Sequence, residues 1–171
     1  MMKQSQVVLL VAAVTALQPV ARLQRAPVRM AASDILASDR ILIAPALATS
    51  NVAKLGEEAQ AAVAAGADCL HFNVMDGHHT EKLTWGPMMV KALRAYGVEA
   101  PIDVQLTCGK EIVDVQIEEF AAAGASYITF HAEGTRNIDR SLGLIASLGC
   151  KCGVRHLCGN QPVSWVQRRK F

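Results

Sequence analysis

A nine-residue stretch, HFNVMDGHH (71–79), collects several side chains that are suited to binding a metal or moving a proton. It contains His71, Asp76, His78 and His79. Imidazole and carboxylate groups are common ligands of transition metals, and histidine carries protons near neutral pH. Asn73 lies in the middle of the same stretch, and its carboxamide has no titratable proton for this work. The stretch therefore predicts either a working active site or one that has lost a key group.

Four segments of the chain share one pattern, in which an Ala-rich amphipathic stretch ends at a glycine and a β-branched stretch follows. The four glycines are Gly66, Gly97, Gly124 and Gly149. A glycine just past a helix supplies the left-handed residue that often ends it, so each segment predicts a helix followed by a strand. ILIAPAL (41–47) is predicted to be a further strand before the first helix. The chain is thus expected to form five strands and four helices.

This alternation predicts an α/β fold with a parallel sheet and right-handed crossovers. Two architectures fit the spacing, an eight-fold βα barrel and an open doubly wound sheet. No G-x-G-x-x-G motif follows the first strand, which disfavours the dinucleotide-binding form of the open sheet.

Strand side chains alternate between two faces, so one face of each predicted strand can be read from the sequence. In a barrel this inner face ends in a mouth at the C-terminal ends of the strands, where active sites lie. We refer to the following group as the mouth: Ala46, His71, Asn73, Gln105, Thr107 and His131. Its polar groups must find partners, which predicts either a hydrogen-bonded cluster in the barrel interior or a ligand site.

Charge and composition divide the chain into three parts. All 15 acidic residues lie between Asp34 and Asp139, where seven Lys or Arg accompany them. This acidic middle argues against a nucleic-acid-binding domain. Residues 1–33 combine a short apolar run (7–17) with an acid-free Arg-rich stretch, which predicts a targeting leader for a plastid through the secretory route, or alternatively for secretion. No membrane span is expected after its removal, and residues 155–171 are predicted to be an irregular basic tail.

Several motifs between Ile41 and Val154 resemble those of the ribulose-5-phosphate 3-epimerase family. The matching segments, in order, are IAPALATSNV, HFNVMDGH, LTWGP, APIDVQLT, FAAAGASYITFHAEG and LGCKCGV. The resemblance implies a (β/α)8 barrel, of which residues 34–154 would form about the first five strands and four helices. It also implies an isomerase that interconverts D-ribulose 5-phosphate and D-xylulose 5-phosphate in the pentose phosphate pathway or carbon fixation cycle.

The resemblance implies a divalent metal (Zn, Fe or Mn) and proton transfer at C3 by two carboxylates. His71 matches a metal-ligating histidine, and Gln105 stands where the family has a second one. Asn73 stands where the family has an aspartate that is both a catalytic acid or base and a metal ligand. The positions implied to face the pentulose 5-phosphate are Ala46, Met75, Thr107 and His131, with Ala46 replacing a serine and Thr107 a methionine.

These departures predict an epimerase-like chain whose own activity is impaired. Two alternatives remain, a non-catalytic binding or regulatory relative and a truncated gene model. Five strands of a barrel would leave an apolar parallel edge exposed, so pairing through that edge, including homo-oligomer formation, is also expected.

Overall fold

The computed structural model describes residues 41–155, which form four parallel strands alternating with four α-helices. In chain order the elements are α1 (Leu55–Ala64), β1 (Leu70–Met75), α2 (Pro87–Ala95), β2 (Ile102–Thr107), α3 (Val113–Ala123), β3 (Tyr127–His131), α4 (Ile138–Ser147) and β4 (Lys151–Arg155). Short 3-10 helices occupy Leu47–Thr49, Val52–Lys54 and Ala132–Gly134. Residues 41–155 contain no helix long and apolar enough to cross a membrane. The predicted leader and most of the predicted tail lie outside the described residues.

The strands pair in the order β1-β2-β3-β4, each beside the next along the chain. All four helices pack on the same face of this sheet, where one core joins their apolar side chains to those of the strands. That core includes Leu55, Val90, Ile117, Phe120 and Ile145 from the helices and Phe72, Val104, Ile128 and Val154 from the strands. A doubly wound sheet reverses its strand order and carries helices on both faces. The fold is therefore α/β and follows the consecutive βα units of a (β/α)8 barrel.

The predicted helix ends are confirmed. Gly66, Gly97, Gly124 and Gly149 follow the four helices with φ between 80° and 105°, in the left-handed region that glycine adopts readily. Pro87 is the first residue of α2, where its missing N–H has no helical partner to lose.

The prediction of a regular strand over ILIAPAL is wrong. Ile43 and Ala46 occupy isolated bridge positions, and a 3-10 helix begins at Leu47. The stretch still runs beside β1, because the carbonyl of Ile43 accepts from Asp68 N–H at 2.8 Å and that of Pro45 from His71 N–H at 2.9 Å. Pro45 has no N–H to donate, which interrupts the ladder that a regular strand requires.

Arg94, at the end of α2, ties two turns together. Its Nε and Nη2 donate to the carbonyl of Gly124 at 3.1 and 2.8 Å. Its Nη1 donates to the carbonyls of Val98 and Ala100, both at 2.7 Å. These carbonyls lie in the turns that lead into β2 and β3. The half-buried guanidinium therefore helps to set where the two strands begin, and so where their last residues reach the mouth.

Candidate functional site

The inner face of the sheet carries the polar side chains in successive layers, as the alternation predicts. The helix-facing side chains of β1 and β2, such as Phe72 and Val104, are fully buried in the apolar core. Parallel pairing then places His71 beside Asp103, Asn73 beside Gln105 and Met75 beside Thr107. Gln105 is in turn beside Thr129 of β3. The predicted inner positions of the strands therefore do share one face, in layers of the kind that fill a βα barrel.

The deepest of these layers is a buried histidine–aspartate pair. Nδ1 of His71 donates to Oδ2 of Asp103 across 2.7 Å, and the two side chains are 3% and 7% exposed. A carboxylate accepts hydrogen bonds, so this contact places a proton on Nδ1. Such a carboxylate fixes the ring orientation and tautomer of a histidine that acts on a ligand. Alternation along β2 gives Asp103 the same face as Gln105 and Thr107, although the mouth as defined from the sequence does not include it.

Gln105 is the centre of the next layer. Its Oε1 accepts from Nη1 of Arg155 at 2.7 Å, and its Nε2 lies 3.2 Å from Nε2 of His131. The same Nε2 is 3.4 Å from the hydroxyl of Thr107. Because guanidinium only donates, Arg155 fixes the amide with its carbonyl toward β4 and its N–H groups toward His131 and Thr107. The structure thus joins three of the mouth positions through one amide.

Arg155 lies where the sequence predicted the start of an irregular tail, yet it is the last residue of β4 and pairs with His131 in the parallel register. This is one of the functional contacts that sequence reasoning missed. A residue two places after Gly153 shares its face, and Gly153 is beside Thr129. Alternation along the strand would therefore have placed Arg155 on the inner face, had the predicted strand been extended by one residue to include it.

Two further mouth positions, Ala46 and Asn73, and the nearby Met75 lie around this layer without joining it. Ala46 is buried and forms a parallel bridge with His71. Asn73 and Met75 are half-buried near the end of β1. In the parallel register Asn73 lies beside Gln105, and His71 lies two residues before Asn73 on the same face.

The end of β1 is held by Thr84, in the segment LTWGP. The hydroxyl of Thr84 donates to the carbonyl of Asn73 at 2.8 Å and accepts from the N–H of Met75 at 2.9 Å. The stretch before α1 no longer runs beside β1 once the 3-10 helix begins at Leu47. Thr84 thus satisfies backbone groups that a neighbouring strand would otherwise satisfy. It also holds Asn73 in place at the mouth.

The loop after β1 folds over the mouth and is fastened by Asp76. Oδ1 of Asp76 accepts from the N–H groups of His78 and His79, and Oδ2 accepts from the N–H of Gly109 at 2.7 Å. Partial burial alone would raise the pKa of Asp76, but the backbone hydrogen bonds outweigh this and lower it from its ordinary value. The fastened loop brings the His79 ring to 5.2 Å from that of His131, measured between centroids.

The residues present do not fit the divalent metal that the resemblance implies. The described residues contain no group of three or more His, Cys, Asp or Glu side chains placed to hold a metal ion. A catalytic metal usually has three protein ligands, and His71 is the one strong ligand among the predicted positions. The oxygen of Gln105 is already bound to a guanidinium, whose positive charge disfavours a cation at the same oxygen.

Comparison with known proteins agrees with the motifs. The ribulose-phosphate 3-epimerase of Escherichia coli (strain K12) is 52% identical over 113 residues, which are 66% of this chain and 49% of that protein. The ribulose-phosphate 3-epimerase of Serratia marcescens is 48% identical over 115 residues, which are 67% of this chain and 54% of that protein. The chain spans about half the length of the curated relatives it matches.

Among solved structures, the chain is similar to one described as QR15, an aldolase, with a TM-score of 0.48 and 17% sequence identity, covering 70% of this chain and 60% of that chain. The profile of the ribulose-phosphate 3 epimerase family matches residues 42–168. With most of its length matched by this profile, the chain belongs to the ribulose-phosphate 3-epimerase family.

Proposed function

We propose that this chain binds a pentulose 5-phosphate at the mouth and that its ability to epimerise C3 is impaired. Family membership supports the substrate, D-ribulose 5-phosphate or D-xylulose 5-phosphate. The position of the polar layers supports the site, because βα barrels bind their substrates at the C-terminal ends of the strands.

The observation that carries the impairment is the state of the Asn73–Gln105 layer. Epimerisation at C3 requires a group that removes or returns a proton, and a carboxamide at Asn73 has no such proton near neutral pH. Losing a general acid or base typically lowers a rate by about 10²–10⁴. Gln105 is engaged on its oxygen by Arg155 and on its nitrogen by His131, so this side chain supports hydrogen bonding and not metal binding.

The remaining groups are suited to positioning a polyhydroxylated ligand. His71, oriented by Asp103, offers its Nε2 to a sugar hydroxyl. Thr107 offers a hydroxyl at the next level of the same face. These contacts would support binding without chemistry, which is also what the alternative of a non-catalytic binding or regulatory relative requires.

The test is a paired measurement on the full chain. Binding of ribulose 5-phosphate is measured by calorimetry, and its conversion to xylulose 5-phosphate is measured with added zinc, iron or manganese. We expect binding and little turnover. The double variant Asn73→Asp, Gln105→His is expected to gain turnover, whereas Gln116→His on the outer helix α3 is the matched control and should gain none. Efficient turnover by the unaltered chain that collapses on His71→Ala would contradict the impairment, and absence of binding would contradict the substrate.

We also propose that the chain pairs with a second chain through the side of β4 on which residues 41–155 place no strand. Among residues 41–155, no strand pairs with that side, and an unpaired strand edge is a template for association. Light scattering after size-exclusion chromatography measures the outcome. A monomer at micromolar concentration would contradict this proposal.

For localisation, we propose import into a plastid directed by residues 1–33, with secretion as the alternative. The acid-free Arg-rich stretch after the apolar run supports the plastid. A fusion of these residues to a fluorescent protein distinguishes the two destinations, and cytosolic fluorescence would contradict both.

A further inference from the structure

Arg155 brings a positive charge to the inner face of the sheet. It ends β4, lies beside His131 in the parallel register, and reaches across to Gln105 of β2. Its side chain therefore lies on the polar face at the C-terminal ends of the strands. The residue as a whole is half-buried.

Most of the donor capacity of this guanidinium is not used by the described residues. A guanidinium has five N–H donors, and one recorded bond, from Nη1 to Oε1 of Gln105, engages it. No ion pair is recorded between Arg155 and a carboxylate within residues 41–155. Of the carboxylates on or above this face, Asp103 accepts from His71 through Oδ2 while its buried Oδ1 has no hydrogen-bond partner among the described residues, and Asp76 accepts from the loop N–H groups.

The donors and acceptors around Arg155 follow one order, from β4 to β2 and on to the neighbouring side chains. Arg155 donates to Gln105, and Gln105 turns its own N–H groups toward His131 and Thr107. The Gln105 oxygen is thereby removed as a ligand for a cation. Between β2 and β4, the layer presents the remaining N–H donors of Arg155 and its full positive charge, which is the arrangement that recognises an oxyanion.

We propose that the guanidinium of Arg155 takes the place of the divalent metal, so that the mouth is a binding site for a small oxyanion, with phosphate or a phosphate ester as its ligand. This inference deepens the proposed function, on which it rests for the sugar phosphate as natural ligand. It concerns the chemistry of the site and requires no turnover. It assigns to Arg155 a role in binding, through its positive charge and through those of its N–H groups that do not donate to Gln105.

Calorimetry with inorganic phosphate and the full chain tests the proposal. We expect one phosphate per chain, with affinity at least tenfold lower for Arg155→Gln. Arg136→Gln is the matched control, because Arg136 is exposed and pairs with Glu111 on the outside of the fold. The control should bind phosphate as the unaltered chain does. Equal phosphate affinity in Arg155→Gln and the unaltered chain would overturn the proposal.

Two further measurements keep the proposal testable if Arg155→Gln does not fold. In the unaltered chain, the NMR signal of the Arg155 Nε–H group should shift on addition of phosphate, and an unmoved signal at saturating phosphate would overturn the proposal. Titration of the chelator-treated chain with zinc should show no stoichiometric site at the mouth. The proposal would also be overturned if the chain binds zinc, if His71→Ala abolishes that binding, and if Arg155→Gln leaves it unchanged.

Failure of this proposal can be told apart from failure of the proposed function. Ribulose 5-phosphate that displaces inorganic phosphate, while unphosphorylated ribulose does not, supports both. Phosphate that binds through Arg155 without being displaced by ribulose 5-phosphate supports the oxyanion site and contradicts the substrate. Ribulose 5-phosphate that binds equally well to Arg155→Gln contradicts the oxyanion site alone.

Discussion

Replacing Arg94 with alanine is expected to lower the free energy of unfolding by about 2–4 kcal/mol. Arg94 makes four hydrogen bonds to three backbone carbonyls, those of Val98, Ala100 and Gly124. All three lie in the turns that precede β2 and β3. Alanine at this position would remove the guanidinium that now donates to these three carbonyls.

The magnitude follows from the number of acceptors and from burial. A hydrogen bond to a charged group contributes about 1.5–3 kcal/mol. Two bonds converge on the Gly124 carbonyl and two leave the same Nη1 of Arg94, so the four contacts do not add independently. Water can replace part of them at this half-buried position. Desolvation, which lowers the pKa of Arg94, offsets a further part, so that little more than the contribution of one full bond remains, about 2–4 kcal/mol.

Urea unfolding of the full chain, followed by far-ultraviolet circular dichroism, measures the effect. Arg94→Lys keeps the charge but loses the planar fork, so it should lie between alanine and the unaltered chain. Arg136→Ala removes an exposed ion pair with Glu111 and should cost less than about 1 kcal/mol. A change for Arg94→Ala no larger than that of Arg136→Ala would refute the reasoning, as would Arg94→Lys with full stability.

Three further outcomes are expected. Gly124→Ala should destabilise the fold by about 1 kcal/mol or more, since Gly124 has φ of 103° and an added Cβ would lie 3.1 Å from Cγ of Arg94. Gly143→Ala is the control in the same urea-unfolding measurement, because Gly143 lies within α4 and an added Cβ there would have no neighbouring atom within 4 Å. This control should be neutral or stabilising. The pKa of Asp76 in the folded chain lies below its ordinary value of 3.8, so its contribution to stability is complete above pH 3.8 and is lost as the pH falls through the folded pKa. The free energy of unfolding of Asp76→Asn should therefore decrease less steeply in acid than that of the unaltered chain. Equal dependence on pH in the two chains would contradict the role of Asp76 in fastening the loop. Burial raises the pKa of the Cys69 and Cys108 thiols to about 12, so alkylation near neutral pH, mapped by mass spectrometry, should modify neither before unfolding; rapid labelling of either would show that its strand end opens.

The two faces of the sheet were predictable because alternation along a strand is geometric. Phe72 and Val104 face the helices and His71 and Gln105 face inward, as their spacing requires. Helix ends were equally accessible, since a positive φ after a helix favours glycine strongly enough to show in the sequence. These features depend on a few neighbouring residues and on no distant contact.

The contacts at the mouth were not predictable in the same way, because they depend on the register between strands. Alternation gives Asp103 the same face as Gln105, but its pairing with His71 follows from which residues of β1 and β2 stand side by side. Arg155 resembled the basic residues of a tail, and its meeting with Gln105 crosses from β4 to β2. At Pro45 the sequence predicted too much regular structure. The apolar run around it favoured a strand, but the missing N–H of Pro45 interrupts the hydrogen-bond ladder of that strand.

The consecutive order of the strands has a consequence for how the fold is acquired during synthesis. Every strand after β1 pairs with the strand that the ribosome has just delivered, as Ile102 does with Leu70 and Lys151 with Tyr127. The pairings are close in sequence, so each closes only a modest loop. The growing chain can therefore add one βα unit at a time to an existing template. Arg155, at the end of β4, meets Gln105 only after the other three strands have been made.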